Sequence, residues 1–273
     1  MNSTQKCYTV RLPLPPHFNL GQTLNCGQCF RFVETETGKY CGVALDKYFE
    51  FTVCTDELII CSDSEFSDKE VIEFFDFDRD YEKINLTLSQ DKTMCSAIKY
   101  AGGIRILRQP HWETLCSFIL SQNNNIKRIT GIIERLCENF GEPIGSGRYS
   151  FPTPERLALL SEEELAPIRS GFRAKYVLDA ARKVVSGEVD FDEIISSDTD
   201  RAREILMKIH GVGPKVADCV LLFGFHKLDA FPKDVWIKKA LQEFYPDGVP
   251  DYIKEYGGIA QQYLFHYIRT KLN

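Results

Sequence analysis

The sequence lacks an apolar run long enough to cross a membrane. No apolar stretch in its 273 residues approaches the roughly 18 consecutive apolar residues that a membrane-spanning helix needs. The first 16 residues, MNSTQKCYTVRLPLPP, also lack the continuous apolar segment of a secretory signal. A hydrophobic content of 44% with 12% aromatic residues instead indicates an ordered globular protein. We therefore expect a cytoplasmic protein without a secretion or membrane signal.

The sequence also lacks a complete set of metal ligands. Ten cysteines are present, and Cys26 and Cys29 have the C-x-x-C spacing of a zinc or redox site. Neither a second C-x-x-C pair nor a nearby histidine completes four ligands around them. A zinc or redox protein built on this pair is the minor alternative, and it would show bound metal or a reversible disulfide. We predict that the chemistry needs no metal and no cofactor.

A third absence is the net positive charge that is typical of nucleic-acid-binding proteins. The formal net charge is −6. Residues 1–100 carry 10 lysines and arginines against 16 aspartates and glutamates, whereas residues 101–273 carry 23 of each. The acidity therefore lies in the first third of the chain. Because local patches govern phosphate binding more than net charge does, we expect that any non-specific affinity for nucleic acid is modest and sensitive to salt.

The order of the predicted elements divides the chain into two parts. Residues 7–62 contain short alternating segments such as KYFEFTV and ELIICS, which predict an antiparallel sheet. We predict an α+β protein with an N-terminal antiparallel sheet domain and flanking helices over residues 1–103, followed by a helical body over residues 104–273. The body is predicted to have two lobes with a cleft between them: residues 131–214, and residues 104–130 together with 215–273.

Short local signals predict where individual elements begin. Ser67 with Glu70 and Ser161 with Glu164 each have the spacing of a capping box, in which two residues exchange hydrogen bonds at the start of a helix. The segment 141–150, GEPIGSGRYS, is rich in glycine and predicts a loop. These signals predict helices directly after Ser67 and Ser161.

The segment from Leu206 to Asp234 is the most informative stretch of the chain. One apolar-periodic helix ends at GVGP, residues 211–214, and a second apolar-periodic segment follows directly. Two helices joined by so short a turn form a helix-hairpin-helix. We expect Gly211 and Gly213 to allow positive φ and a close backbone approach. Since the free N–H groups that open the second helix suit a phosphate, the hairpin is predicted to bind the DNA backbone.

Two residues beside this hairpin suggest a chemical function. Lys215 lies in the first turn of the second helix, where we expect the helix dipole and partial burial to favour its neutral, nucleophilic form. The rest of that helix and an extended return segment are together long enough to bring Asp234 back to the amine. An amine and a carboxylate beside a phosphate site suggest attack on a sugar carbon. In the simpler interpretation, Lys215 only contacts phosphate and Asp234 only caps a helix. Since capping and catalysis do not conflict, we expect Asp234 to do both.

The motif GVGPKVADC followed by FPKD resembles that of the helix-hairpin-helix DNA glycosylases (HhH-GPD superfamily). From GQCFRF near one end to AQQYLF near the other, the chain resembles the Ogg-type 8-oxoguanine DNA glycosylases over nearly its whole length. The resemblance implies bifunctional excision of 8-oxoguanine from duplex DNA. In that reaction Lys215 attacks C1′ and forms a Schiff base, Asp234 stabilises developing positive charge, and β-elimination of the 3′ phosphate follows.

The resemblance also implies a pocket for the extruded base. Cys219 would pack against one face of the base, and Phe265 would stack on the other. Gln261 would read the Watson–Crick edge, and the carbonyl of Gly27 would accept the N7–H that 8-oxoguanine has and guanine lacks. From the residues alone, Cys219 could equally be a core residue, Phe265 is better explained as one, and Gly27 could be a strand-edge glycine.

The resemblance extends to the contacts with DNA around the lesion. Asn123 would fill the gap left by the flipped base, and Arg128 and Arg173 would contact the orphaned cytosine. Phe172 stands where the family usually has tyrosine, and Trp236 stands where eukaryotic members usually have a histidine that contacts phosphate. The asparagine triplet could instead only cap helices. We expect a monomer that binds duplex DNA with 8-oxoguanine preferably opposite cytosine, associated with the nucleoid if the source is prokaryotic.

Two other functions stay open at this point. A related glycosylase could act on another damaged base, such as an alkylated purine, although the monofunctional members of the superfamily lack the lysine. A non-catalytic hairpin protein could only bind DNA, but it would need neither the lysine and aspartate together nor an aromatic pocket. No cysteine follows Cys219, which excludes the C-terminal four-cysteine iron–sulfur loop of the endonuclease III type.

Overall fold

The computed structural model describes residues 7–271, with side chains described as far as Arg269. Residues 1–6 belong to the N-terminal stretch in which the sequence shows no signal segment, and they lie outside the described residues. Among the described residues, no helix is both long and apolar enough to cross a membrane.

The N-terminal part contains a five-stranded antiparallel sheet, as predicted. Its strands are β1 (Tyr8–Pro13), β2 (Phe32–Glu36), β3 (Lys39–Ala44), β4 (Lys47–Cys54) and β5 (Glu57–Ser62). Strands β2 to β5 form a meander, and β1 pairs with β5 at the edge. Phe49 and Phe51 alternate with outward residues along β4 and are fully buried, because successive side chains of a strand point to opposite faces.

A short helix, α1 (Leu20–Asn25), lies between β1 and β2, in a region where the sequence suggested only strands. Asn19 caps it by accepting a hydrogen bond from the backbone N–H of Gln22 at 2.8 Å. Leu20 and Leu24 are buried on one side of the helix. Six residues are too few for a periodic pattern to stand out, so the sequence did not indicate this helix.

Three helices follow the sheet: α2 (Asp68–Phe74), α3 (Tyr81–Leu88) and α4 (Lys92–Ala101). The predicted capping box forms at α2, where Ser67 and Glu70 exchange hydrogen bonds. Helix α2 packs on the sheet, whereas buried residues of α3 and α4 belong to the core of the helical body. The domain boundary near residue 103 therefore stays a prediction.

The helical body begins with α5 (His111–Ser121), α6 (Ile126–Phe140), α7 (Pro154–Ala158), α8 (Ala174–Val185) and α9 (Phe191–Ser196). The loop predicted for residues 141–150 instead contains a small hairpin formed by β6 (Pro143–Gly145) and β7 (Arg148–Tyr149). Two glycines of its turn have positive φ, 107° at Gly145 and 66° at Gly147. The tight turn that they allow brings the two short strands into register.

The second predicted capping box forms without an α-helix after it. Ser161 and Glu164 exchange hydrogen bonds of 2.8 and 3.3 Å, but the chain continues as turns and a 3₁₀ helix, Ala166–Ile168. Pro167 lies in this segment and has no N–H to continue an α-helical hydrogen-bond ladder. The prediction of an α-helix directly after Ser161 was wrong for this reason.

The body ends with α10 (Thr199–Leu206), α11 (Pro214–Gly224), α12 (Val235–Phe244), α13 (Asp251–Lys254) and α14 (Gly257–Lys271). Helix α11 packs against α5 and α10, and α14 packs against α4 and α12. These contacts place the first turns of α11 and α12 and one face of α14 around a common cleft.

Candidate active site

The predicted helix-hairpin-helix is formed by α10 and α11. Gly211 has φ +81°, and an added Cβ there would lie 2.6 Å from the Tyr176 ring, so both the backbone conformation and the close approach require glycine. Gly213 has φ −99°, so the expectation of positive φ was right for Gly211 and wrong for Gly213. As N-cap of α11, Gly213 provides no side-chain hydrogen bond, which leaves the first-turn N–H groups available to a phosphate.

Lys215 lies in the first turn of α11, and its side chain is exposed. The expected partial burial of this lysine was therefore wrong for the free protein. Its Nζ lies 5.9 Å from the centre of the Phe118 ring. Cys219 lies one helical turn further on; burial raises the pKa of its thiol, and the positive charge of Lys215 acts in the opposite direction. The lysine is thus placed at the mouth of a partly apolar cleft.

Asp234 is the N-cap of α12, as the sequence predicted. One carboxylate oxygen, Oδ1, accepts a hydrogen bond of 2.8 Å from the backbone N–H of Ile237. Among the described residues, Oδ2 has no hydrogen-bond or ion-pair partner. One oxygen therefore anchors the side chain, and the other remains available to a reacting group in the cleft.

A cleft of about 580 Å³ brings most of the predicted site residues together. They come from four separate parts of the chain: the loop after α1, the start of α11, the start of α12 and the middle of α14. The residues predicted from the sequence that line this cleft are Gly27, Lys215, Cys219, Asp234, Trp236, Gln261 and Phe265.

The loop after α1 supplies the backbone of Gly27 to the cleft. Gly27 has φ +85°, so it is a left-handed loop residue and not a strand-edge glycine. Gln28, buried beside it, donates hydrogen bonds to the carbonyls of Thr23 and Arg105 at 2.9 and 2.8 Å. The carbonyl of Gly27 takes part in none of the described hydrogen bonds. The loop is therefore held in place while one backbone acceptor remains free.

Helix α14 supplies the opposite wall. Phe265 is half-buried, and the guanidinium of Arg269 lies 5.2 Å from the centre of its ring. Burial, assisted by the charge of Arg269, lowers the pKa of His266 to about 4, so this ring is neutral near pH 7. Gln261 is buried and accepts a hydrogen bond of 2.7 Å from Nε2 of Gln262. This wall therefore combines an aromatic face with amide groups.

Two family models match consecutive parts of the chain. The model for the 8-oxoguanine DNA glycosylase, N-terminal domain, matches residues 11–115. The model for the HhH-GPD superfamily base excision DNA repair protein matches residues 116–254. The chain belongs to the Ogg-type 8-oxoguanine DNA glycosylases of the HhH-GPD superfamily.

Individual relatives agree with this membership. The N-glycosylase/DNA lyase of Saccharomyces cerevisiae is 44% identical over 160 residues, which are 52% of this chain and 42% of the yeast protein. The chain thus matches less than half of that relative's length. The structure of MBOgg1 in complex with a low affinity DNA ligand has a TM-score of 0.89 and 44% identity, covering 97% of this chain and 96% of that one.

A second solved structure bears on the substrate of the relatives. The Clostridium acetobutylicum 8-oxoguanine glycosylase/lyase, in complex with dsDNA containing cytosine opposite 8-oxoG, has a TM-score of 0.85 and 37% identity. The match covers 94% of this chain and 93% of that one. The Ogg-type fold is therefore shared over nearly the whole chain.

The remaining predicted site residues of this Ogg-type chain lie outside the cleft. Asn123 is exposed with φ +47°, and Arg128 is exposed near the start of α6. Arg173 is buried and donates hydrogen bonds to the carbonyls of Gln122 and Asn123 at 2.7 and 2.9 Å. In the free protein Arg173 therefore supports the loop of residues 122–125 between α5 and α6 (the asparagine loop). Contact of this buried side chain with an orphaned cytosine would require it to rearrange.

Phe172 is the exposed neighbour of this buried arginine. Half of its surface is exposed, and the guanidinium of Arg173 lies 4.4 Å from the centre of its ring. Trp236 is half-buried at the edge of the cleft, with Nζ of Lys239 5.0 Å from its ring centre. Both aromatic residues are thus placed where DNA could contact them, and their roles stay predictions.

Several residues of the Ogg-type cleft were not among those predicted from the sequence. Phe223 continues the four-residue spacing of Lys215 and Cys219, and Arg269 continues that of Gln261 and Phe265, so the helical period could have indicated both. The remaining cleft residues show no such helical spacing to the predicted ones, because packing between distant segments of the chain brings them to the cleft. The other missed residues that line the cleft are Cys26, Phe30, Phe118, Ser121, Asn124, Asn125, Ile126, Ile129, Pro232 and Gln262.

The pair Cys26 and Cys29 does not form a metal site in the part of the chain that the structure describes, since no cluster of three potential ligands occurs there. Burial raises the pKa of the Cys26 thiol to about 12 and also raises that of Cys29. Because the thiolate is the reactive form, this burial disfavours the redox alternative.

Proposed function

We propose that this chain is an 8-oxoguanine DNA N-glycosylase with DNA-(apurinic or apyrimidinic site) lyase activity. The observation that carries the proposal is the meeting of Lys215, Asp234 and the free carbonyl of Gly27 in one cleft. A protein that only binds DNA needs no amine and carboxylate together in a pocket large enough for a base. The names of the relatives, N-glycosylase/DNA lyase and 8-oxoguanine glycosylase/lyase, support the same activity.

The proposed reaction begins when duplex DNA covers the cleft and the damaged nucleotide leaves the base stack. Lys215 is exposed in the free protein, so the bound DNA supplies the desolvation that favours its neutral amine. Nζ attacks C1′, and the C1′–N9 bond breaks with its electron pair passing to the base. The free oxygen of Asp234 stabilises the positive charge that develops on the sugar and assists proton transfer.

The lyase step follows from the same covalent bond. Opening of the sugar ring gives an iminium, or Schiff base, between Nζ of Lys215 and C1′. The free carboxylate oxygen of Asp234 is proposed to take the proton from C2′. The electrons of the C2′–H bond then form the C2′–C3′ double bond, and the C3′–O bond breaks with its electron pair passing to the 3′ phosphate. Each step uses a group that the cleft already contains or the DNA supplies.

Lesion recognition is proposed to depend on one backbone acceptor. The N7–H of 8-oxoguanine can donate to the Gly27 carbonyl, whereas N7 of guanine has no hydrogen and is an acceptor. Cys219 and Phe265 are proposed to hold the two faces of the base, and Gln261 its Watson–Crick edge. The arrangement therefore favours the oxidised base over the normal one.

Gly27→Ala is expected to reduce lesion discrimination more than catalysis. A Cβ at this position has room, since its nearest neighbour would be Cδ1 of Ile126 at 3.9 Å, but φ +85° strains any other residue. Relieving that strain would turn the carbonyl away. We expect binding of 8-oxoguanine duplex relative to guanine duplex to weaken by up to about 1–3 kcal/mol, measured by titration of both duplexes.

Gly38→Ala is the matched control, because Gly38 has φ +78° in the turn between β2 and β3 and no atom near its added Cβ. It introduces similar backbone strain away from the cleft. Equal weakening of binding to both duplexes by Gly27→Ala would show that Gly27 only shapes the fold.

The base opposite the lesion is proposed to be read from the asparagine loop. Cytosine left unpaired offers O2 and N3 as acceptors, which suit arginine donors, and Arg128 is exposed at the start of α6. Phe172 keeps an aromatic face but lacks the hydroxyl of the usual tyrosine. Its missing hydrogen bond is worth about 0.5–1.5 kcal/mol. We therefore propose a preference for cytosine that is present but relaxed.

Single-turnover excision opposite each of the four bases tests this preference. We expect Phe172→Tyr to sharpen the preference for cytosine over adenine by about two- to tenfold. Arg128→Ala is expected to remove nearly all of it. Equal rates opposite all four bases in the wild type, unchanged by Arg128→Ala, would show that these residues do not read the orphaned base.

Borohydride trapping of the wild-type protein on a panel of duplexes tests the proposed function as a whole. Each duplex carries one lesion, and borohydride reduces the Schiff base to a stable covalent complex. We expect trapping with 8-oxoguanine and none with undamaged guanine. Base release from a duplex with an alkylated purine, without trapping, would favour the alternative glycosylase.

We also propose that the protein acts as a monomer on duplex DNA in the cytoplasm. The cleft already contains the amine, the carboxylate and the backbone carbonyl that the proposed chemistry uses, so that chemistry needs no second copy. Light scattering of the protein alone and with a lesion-containing duplex measures the stoichiometry directly.

A further inference from the structure

Two adjacent glutamines on α14, Gln261 and Gln262, contact each other through their side-chain amides. Nε2 of Gln262 donates to Oε1 of Gln261 at 2.7 Å. Consecutive side chains on a helix point about 100° apart and do not normally face each other. Both glutamines line the cleft, and both are buried, with 3% and 5% of their surface exposed. The residue proposed to read the base is therefore held by a neighbour that the proposed function does not use.

Burial selects one orientation of this amide pair. With Gln262 as donor, its own Oε1 is enclosed and has no hydrogen-bond partner within the described residues. If both amides turned over, Gln261 would become the donor, and the amino group of Gln262, with its two N–H donors, would be enclosed without partners. Since each enclosed polar group without a partner is unfavourable, the observed orientation is the better of the two. Gln261 is thereby held with Oε1 toward Gln262.

A fixed Gln261 amide distinguishes two kinds of purine edge. A guanine-type edge places the O6 acceptor beside the N1–H donor, and the amide can match it with its Nε2–H and the remaining lone pair of Oε1. An adenine-type edge places an amino donor beside an N1 acceptor. The Gln261 amide can match that edge only after it rotates by about 180° around its Cγ–Cδ bond. The hydrogen bond from Gln262 opposes this rotation.

We propose that Gln262 is a positioning residue that selects 8-oxoguanine over 8-oxoadenine by preventing the Gln261 amide from turning over. The inference rests on the proposed function, because it requires the extruded base to meet Gln261. The carbonyl of Gly27 cannot make this choice, since both 8-oxopurines carry an N7–H. The choice between the two oxidised bases is therefore made at the glutamine pair.

Gln262→Met tests the inference. Methionine has a similar length and no donor. It removes the enclosed Oε1 of Gln262 that has no partner, which offsets part of the cost of leaving Oε1 of Gln261 without its donor. We expect single-turnover excision of 8-oxoguanine opposite cytosine to fall about two- to tenfold, the effect of one hydrogen bond. Excision of 8-oxoadenine opposite cytosine is expected to rise relative to it by a similar factor. Gln242→Met, at an exposed position of α12, is the matched control and should change neither rate.

Gln262→Glu provides a second variant if the methionine variant is unstable. An ionised carboxylate can only accept a hydrogen bond, so at the alkaline end of the assay range it should turn the Gln261 amide over. The preference is then expected to shift further toward 8-oxoadenine than in Gln262→Met. An unchanged ratio of the two excision rates in folded variants would overturn the inference and leave the proposed function intact. A wild-type protein that excised neither lesion would instead overturn the proposed function.

Discussion

Lys215→Gln is expected to abolish the borohydride-trapped complex between the protein and a duplex that contains 8-oxoguanine. Glutamine keeps much of the length of the lysine side chain but has no amine to form the Schiff base. Lys215 is exposed in the first turn of α11, so the substitution disturbs no packed core. Lesion binding should therefore stay within about tenfold of wild type, which corresponds to about 1.4 kcal/mol.

The control for this variant is Lys99→Gln, an exposed lysine on α4 that does not line the cleft. It removes the same charge and should leave both trapping and strand cleavage unchanged. Denaturing electrophoresis of the trapped complex and of the cleaved strand gives both quantities in one experiment. Undiminished strand cleavage by Lys215→Gln would show that another group is the nucleophile.

Asp234→Asn is expected to slow base excision by about two to four powers of ten, the range for a positioned acid–base group. Asparagine is as good an N-cap as aspartate, so the hydrogen bond to the backbone N–H of Ile237 can persist. The substitution therefore removes the charge from the cleft while keeping the start of α12 in place. Single-turnover excision and thermal melting measure the two effects separately.

Asp198→Asn is the matched control, since Asp198 caps α10 through the backbone N–H of Arg201 and does not line the cleft. We expect it to change neither excision nor the melting temperature strongly. Asp234→Asn could instead lower the melting temperature markedly and reduce the excision rate only as much as the fraction of folded protein falls. Asp234 would then be a helix cap alone.

Of the two proposed catalytic residues, the local structure of Asp234 could be predicted from the sequence, whereas the burial of Lys215 could not. Asp234 was predicted as an N-cap because capping depends on the residue and its next few neighbours, and the structure shows that cap. The burial expected for Lys215 depends on what covers the start of α11. In the free protein nothing in the described chain covers it enough to bury the side chain, so a local pattern could not settle its environment.

The residues around the asparagine loop also had an environment that could not be predicted from the sequence. The resemblance to the family implied that Asn123, Arg128 and Arg173 act together around the flipped base, but it could not indicate that Arg173 is buried under the asparagine loop. Its guanidinium reaches the carbonyls of Gln122 and Asn123 across some 50 residues of chain, a contact that depends on how α5 and α8 pack. DNA binding must therefore either rearrange this arginine or use it to hold the loop.

Several features of the fold could be predicted from short stretches of sequence alone. These include the alternating strands of the sheet, the capping box at Ser67, the GVGP turn and the one-turn spacing of Lys215 and Cys219, all of which depend on residues within a few positions of each other. Together with the motif order, they sufficed to indicate the family. Local backbone preference and side-chain periodicity operate at this range.

Which groups share the cleft, and how they are oriented, depends on the packing of distant segments and could not be predicted from the sequence. The carbonyl of Gly27, near the start of the chain, meets α11 and α14 near its end, and the amide of Gln262 comes to hold that of Gln261. Long-range packing brings such segments together, and the cost of enclosing unpaired polar groups then selects their orientation. Neither effect leaves a periodic or local pattern in the sequence.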